Sequence, residues 1–214
     1  MGIVAVGRVK TAELDAVTLD AYGTLVTLAD PIPALSEALA DRGAERPREN
    51  VVAGFRKEVA YYRAHTSRGR DEDGLARLQE ECARVFLDAV GADLDAAEFA
   101  PVYAGAMHFE VLDGVGHSLD RVRALGLELA VVANWDLSLR KLIVEVGLDE
   151  YFSVIVHAAA KPAPDGFLRA LEQLGVEPRR VVHIGDDEAD EVAARAAGVG
   201  FLPAPVSAAI AMLT

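Results

Sequence analysis

Only one cysteine, Cys82, stands in the 214 residues, which excludes an intrachain disulfide and suits a reducing, cytoplasmic setting. Its place in an apolar helical pattern reads as core, not as a nucleophile. Basic residues are also short: 21 Lys and Arg face 34 Asp and Glu, a net charge of −13. With no long Lys/Arg run to offset that charge, a phosphate backbone would be repelled, so nucleic acid is excluded as a partner. Long hydrophobic runs are missing too. The uncharged stretch 196–214 is broken by Gly198, Gly200, Pro203 and Pro205, so it reads as a buried last strand and a short tail, with no membrane partner. Met1 to Val9 has neither a basic start nor a proper apolar core, so no signal peptide is expected there. There is no internal repeat and no low-complexity tract.

What is present is globular. Apolar residues make up 52% and charged residues 26%, near the averages for folded domains. The length suits one core domain with an inserted lobe. Short apolar runs, Val17–Leu19, Leu127–Val132, Val154–Val156, Val181–Ile184 and Val199–Leu202, look like buried parallel strands. Between the later runs, Leu139, Leu142, Ile143, Val146 and then Phe167, Leu168, Leu171, Leu174 recur at helical spacing. Strand and helix alternate from about residue 115 onward, which predicts an α/β fold with a doubly wound, mostly parallel sheet. From Pro31 to Leu112 no strand-like run is seen. Val52, Phe55, Val59, Tyr62 and Leu75, Leu78, Cys82, Val85 give helical periodicity instead. The expected division is therefore a core of residues 1–30 and 113–214 and a helical cap of residues 31–112.

Two segments carry chemistry. Val17-Thr18-Leu19-Asp20-Ala21-Tyr22-Gly23-Thr24-Leu25 ends an apolar strand in a carboxylate followed by a glycine turn. Val181-Val182-His183-Ile184-Gly185-Asp186-Asp187-Glu188-Ala189-Asp190-Glu191 ends a second strand in clustered acids, a costly arrangement unless a cation offsets it. Either alone is explicable as a turn or an acidic helix start. Parallel strands ending at one edge would bring Asp20, Asp186 and Asp190 together, and such oxygen ligands suit Mg²⁺. Lys161, before Pro162, would bring an ammonium to the same edge to balance the carboxylates and hold an anion.

Asp20-Ala-Tyr-Gly-Thr-Leu, Lys161-Pro and Gly185-Asp186-Asp187-x-x-Asp190 resemble the first, third and fourth motifs of the haloacid dehalogenase-like hydrolase superfamily, whose core is Rossmann-like and whose helical cap follows the first strand. The resemblance implies Asp20 as covalent nucleophile and Lys161 as its catalytic partner. It implies Mg²⁺ held by Asp20, the Tyr22 carbonyl and Asp186, with help from Asp187 or Asp190. Tyr22, Thr24, Asn134 and Lys161 are the expected substrate contacts. Arg63 and Arg70 belong to a locally basic stretch, Arg56 to Arg70, that reads either as solvated helix surface or as a selector of small anionic substrates.

Two positions depart from the family's phosphatases. Tyr22 replaces the usual second Asp, the general acid and base, and Ala133 stands where a Ser or Thr ends the second motif. Asp-Ala-Tyr-Gly-Thr-Leu also resembles the 2-haloacid dehalogenase branch, which needs no metal, although Asp186 and Asp187 argue against that branch. Three readings stay open: a Mg²⁺-dependent phosphatase of a small metabolite, a dehalogenase, and a silenced binding protein. A monomer or homodimer is expected. Gly114-Val-Gly116 lacks the third glycine of a dinucleotide loop and reads as a turn. His65, His108, His117, His157 and His183 show no metal-ligand spacing and default to core or surface.

Overall fold

The structure, a computed structural model, describes residues 10–213, so the Met1 to Val9 segment lies outside the described residues. In chain order it contains β1 (Ala16–Leu19), β2 (Val26–Leu28), α1 (Ile32–Ala40), α2 (Arg48–His65), α3 (Glu72–Val90), α4 (Ala96–Gly105) and β3 (Phe109–Val111). There follow α5 (Val115–Ala124), β4 (Glu128–Val132), α6 (Leu139–Glu145), β5 (Val154–Val156), α7 (Asp165–Leu174), β6 (Val181–Gly185), α8 (Glu188–Ala196), β7 (Gly200–Pro203) and α9 (Val206–Ala211). The chain divides into two compact units. One takes the chain up to Thr27, Val111–Trp135 and Leu139 onward; the other takes Leu28–Glu110 and Asp136–Ser138.

The first unit is an α/β Rossmann-like layer built on a five-stranded sheet of order β5-β4-β1-β6-β7, every described pairing parallel. The five apolar runs read from the sequence are these five strands. β1 and β6 are buried throughout and β4 in all but Glu128, because parallel strands need crossover helices, which cover the sheet above and below. Ala16, Ala130, Val132, Val154 and Val156 pack with Phe167, Ala170 and Leu171 of α7 and with Ala193 and Ala194 of α8. Register sets the chemistry. Leu19 pairs with Val131 on one side and with Ile184 on the other, so β1, β4 and β6 end at one edge, and the residues just beyond them are neighbours.

Two local expectations need correction. The segment 31–112 does contain strand: β3 pairs with β2 in a two-stranded ribbon. Three residues are too few for a period of two to register in a sequence. The uncharged tail is also not featureless, since Val206–Ala211 forms α9 and buries Val206, Ala209 and Ile210. Its apolar residues at spacings of three and one had a helical reading that the prolines obscured.

The second unit is helical. Asp71 caps α3 by accepting the Gly74 N–H at 2.8 Å, and Gly91 ends the helix in the left-handed region at φ 71°, where glycine carries no Cβ penalty. Phe86, Phe99 and Tyr103 meet in its core with Leu35, Leu39 and Val51, each fully buried apolar side chain contributing about 1.5–3 kcal/mol. Gly54, inside α2, costs about 1 kcal/mol in helix propensity. It is there because a Cβ would come within 2.6 Å of Val90 Cγ1, so it lets α2 and α3 approach closely.

Within this core Glu58 is 5% exposed and accepts the Tyr103 hydroxyl at 2.7 Å. Burial pushes its carboxyl above the ordinary 4.5, against hydrogen bonds from Tyr103 and Cys82 that favour the charged form. A raised folded-state pKa means that Glu58 stabilises fully below the unfolded value and that this contribution is lost as pH rises through the folded value. Glu58→Gln keeps an acceptor for Tyr103 and removes the titration. Melting of the wild type should therefore fall relative to Glu58→Gln as pH rises from below the unfolded carboxyl value through the raised folded one, each 1 kcal/mol appearing as roughly 2–4 °C. Parallel melting profiles would show that Glu58 does not titrate in this range.

Candidate functional site

Asp20 is the first residue beyond β1, and its N–H donates to Ile184 O at 2.9 Å, which ties it to β6. The chain then turns sharply. Gly23 has φ 78°, and a Cβ there would collide with the Asp186 carboxylate. Glycine is thus required twice over, for the left-handed backbone and for the approach of the loop to the acid. Gly185 is held by the same kind of constraint, since a Cβ would collide with Asp190.

Lys161 is buried and its ammonium has three acceptors: Asp20 Oδ1 at 2.5 Å, Val132 O at 2.9 Å, and Asp190 Oδ1. All three ammonium protons have protein partners. Burial works against the Lys161 charge, but Asp20 and Asp190 hold it above the ordinary lysine range. Burial raises the Asp20 carboxyl against the pull of Lys161, with the like charge of Asp190 adding to the rise. Asp190 goes the other way: burial would raise it, but the bond from His183 and the Lys161 ammonium keep it low. Asp186 is exposed, and partial burial with Asp190 nearby raises it.

The loop carrying Lys161 is fixed by Asn134, just beyond β4. The Lys161 N–H donates to Asn134 Oδ1 and Asn134 Nδ2 donates to Lys161 O, both at 2.8 Å. Ahead of the lysine, Ala158 and Ala160 have φ of 46° and 60°, which is strained for residues with a Cβ. Arg169 Nη2 donates to the carbonyls of His157 and Ala158, holding this backbone in place.

One oxygen of each of Asp20, Asp186 and Asp190 lies within 4.8 Å of the others. One ammonium faces three carboxylates, so the site has a surplus of negative charge that a hard divalent cation would offset, and the donor set is all oxygen. The three acids are not equivalent. Asp190 Oδ1 accepts from Lys161 and His183, and Oδ2 accepts the Asp187 N–H at 3.2 Å. Asp187 caps α8, its Oδ1 accepting the Ala189 N–H at 3.1 Å. Asp20 bonds Lys161 through Oδ1, and the exposed Asp186 carboxylate takes a backbone hydrogen bond from its own residue.

The other expected contacts are placed as follows. Tyr22 is 41% exposed on the turn after Asp20. Thr24 is buried, and its Oγ1 has no partner among the described residues. The N–H groups of Ala21, Tyr22 and Asn134 have no backbone acceptor among the described residues and are donors available to an anion at this edge. Ala133 is buried and offers no hydroxyl. Arg63, in the last turn of α2, and Arg70, ahead of α3, are exposed residues of the helical unit. The structure brings together Asp20, Lys161, Asp186 and Asp190. It adds one residue that the sequence left as core or surface, His183, which bonds Asp190.

A family model described as "haloacid dehalogenase-like hydrolase" matches residues 14–198. Haloacid dehalogenase-like hydrolase domain-containing protein 3 of Xenopus laevis is 35% identical over 102 residues, 45% of this chain and 42% of that protein. The chain thus matches under half the length of that relative. The plasmid-borne phosphoglycolate phosphatase of Cupriavidus necator is 34% identical over 194 residues, 86% of this chain and 78% of that protein. Among solved structures, L-2-haloacid dehalogenase from Xanthobacter autotrophicus superposes with a TM-score of 0.62 at 25% identity, covering 88% of this chain and 76% of its own.

Proposed function

We propose a phosphatase, from the premise that the chain belongs to the haloacid dehalogenase-like hydrolase family. The observation that carries the reading is the charge surplus at one sheet edge, with the Lys161 ammonium locked to Asp20 and Asp190 and the Asp186 carboxylate left open beside them. The phosphatase name of the Cupriavidus relative supports the same chemistry. The substrate class is a small phosphorylated metabolite, with phosphoglycolate as the first candidate.

Asp20 attacks phosphorus, the bond from phosphorus to the ester oxygen breaks, and the leaving group departs with the electron pair. Water then attacks phosphorus, releasing phosphate and restoring the Asp20 carboxylate. Lys161 and the N–H groups of Ala21, Tyr22 and Asn134 hold the phosphoryl oxygens as charge develops on them. Asp20, the Tyr22 carbonyl and Asp186 would hold Mg²⁺, with Asp187 and Asp190 in outer positions. There the ion would supply charge neutralisation and phosphoryl polarisation. The helical unit is assigned as the cap, with Arg63 and Arg70 selecting anionic substrates.

Because a cation would relieve the carboxylate surplus and bind only the folded protein, millimolar Mg²⁺ should raise the melting temperature. Asp186→Ala should remove most of that gain. Arg63→Ala with Arg70→Ala should keep it while raising KM for an anionic phosphoester. A melting temperature indifferent to Mg²⁺ in folded protein would remove the metal from this account. Equal KM in the double variant would return the two arginines to solvated surface.

Tyr22 favours a second reading, dehalogenation of a small 2-halo acid, in which Asp20 displaces halide from carbon. The readings separate in one assay of phosphate and halide release with and without chelator: halide release that survives chelation favours dehalogenation.

A further inference from the structure

β6 is an unbroken buried strand, yet its middle residue is an ionisable one. His183 is 0% exposed, and register places it directly across from Thr18 of β1, itself the one hydroxyl in an apolar strand. The ring has a partner at each nitrogen: Thr18 Oγ1 lies 3.0 Å from Nδ1 and Asp190 Oδ1 lies 3.3 Å from Nε2. Phe167 meets the ring edge-on at 4.7 Å between centroids, so the imidazole has little room to turn.

The partners fix the proton. A carboxylate can only accept, so the nitrogen facing Asp190 must donate, and in the neutral ring Nδ1 then accepts from the Thr18 hydroxyl. Burial pushes the imidazole below its ordinary range, in keeping with a neutral ring. Asp190 Oδ1 is then filled by two donors, His183 Nε2 and Lys161 Nζ.

We propose that His183 is a positioning residue for the reaction: its Nε2–H, fixed by Thr18, holds Asp190 as the anchor of Lys161 and so sets the ammonium against Asp20. The proposal rests on Asp20 being the nucleophile. Without the Nε2–H, Asp190 Oδ1 keeps Lys161 as its one donor, and the carboxylate is held only by Lys161 and by the Asp187 N–H on Oδ2. Lys161 is then balanced against Asp20 by an acceptor that is less firmly oriented. Removing an outer residue that orients a reactive one typically costs about 10-fold to 100-fold in activity.

The test has a spectroscopic and a kinetic arm on the full chain. ¹⁵N spectra of histidine-labelled protein should show the His183 proton on Nε2 and a bare Nδ1. The Lys161 ammonium, with three protein acceptors and almost no exposure, should give slowly exchanging proton signals. His183→Leu should lose those signals and lower kcat for p-nitrophenyl phosphate about 10-fold or more, with KM little changed. His183→Gln, which can present an N–H near the Nε2 position, should keep the signals and most of the rate. If His183→Leu does not fold, Thr18→Val removes the hydroxyl at unchanged shape and should weaken both readouts. A proton on Nδ1, a cationic ring, ammonium signals unchanged in these variants, or a Gln variant as impaired as the Leu variant would overturn the proposal. A wild type that releases no phosphate from any ester would instead remove the phosphatase reading, and the ammonium signals would still decide what His183 holds.

Discussion

Asp20→Asn is expected to lower kcat by about 10⁴-fold or more on any phosphoester the enzyme accepts. The change is nearly isosteric and replaces a nucleophilic carboxylate with an amide, which cannot form the covalent intermediate. Folding should survive it. Lys161 keeps two acceptors, Val132 O and Asp190, and one of three clustered like charges is gone, so the melting temperature should hold or rise. The measurement is kcat on p-nitrophenyl phosphate beside a thermal melt. A folded variant with more than about a hundredth of wild-type turnover would mean that another group attacks phosphorus.

Tyr22 carries the second large effect. A phenol is a far weaker acid than a carboxylic acid and is poorly matched to protonating a departing alkoxide near neutral pH. Tyr22 stands two residues after Asp20 on an exposed turn, and Ala133 supplies no hydroxyl from the neighbouring strand. Leaving groups must therefore depart with little help. Aryl and acyl phosphates should be preferred over alkyl phosphates by about 10²–10⁴ beyond their intrinsic difference, the usual worth of general acid catalysis. Tyr22→Asp should raise turnover of an alkyl ester much more than that of an aryl ester. Phosphoglycolate and p-nitrophenyl phosphate form a suitable pair, because the first is the substrate named for the Cupriavidus relative and is an alkyl phosphate. A wild type that hydrolyses phosphoglycolate as readily as the aryl ester, or a variant that gains equally on both, would show that a different residue donates the proton.

The sheet was readable in the sequence because parallel strands covered by helices leave short, largely apolar runs, and all five appear as such. The acids at the ends of β1 and β6 were readable for the same reason, each being the point where an apolar run stops. What the sequence did not reveal are pairings set by register and by loop geometry. Asn134 lies 27 residues from Lys161, and nothing local says that its side chain clamps the lysine peptide. Asp190 reads in the sequence as one more acid beside Asp186, and nothing local says that its oxygens accept from Lys161, His183 and the Asp187 N–H. His183 had a usable signal: Thr18 and His183 are single polar residues in otherwise apolar strands, each two or three residues ahead of an acid, and the register pairs them. The short strand β3 and the helix α9 were missed because three residues and a proline-flanked turn carry too little periodicity.

The central claim is that Asp20 carries the phosphoryl group during turnover. It is tested most directly by quenching the enzyme in acid during steady-state hydrolysis of p-nitrophenyl phosphate and mapping the modified peptide by mass spectrometry. The account predicts a phosphoryl group on Asp20, absent from Asp20→Asn. Phosphate release with Asp20 unmodified and another residue phosphorylated would contradict it.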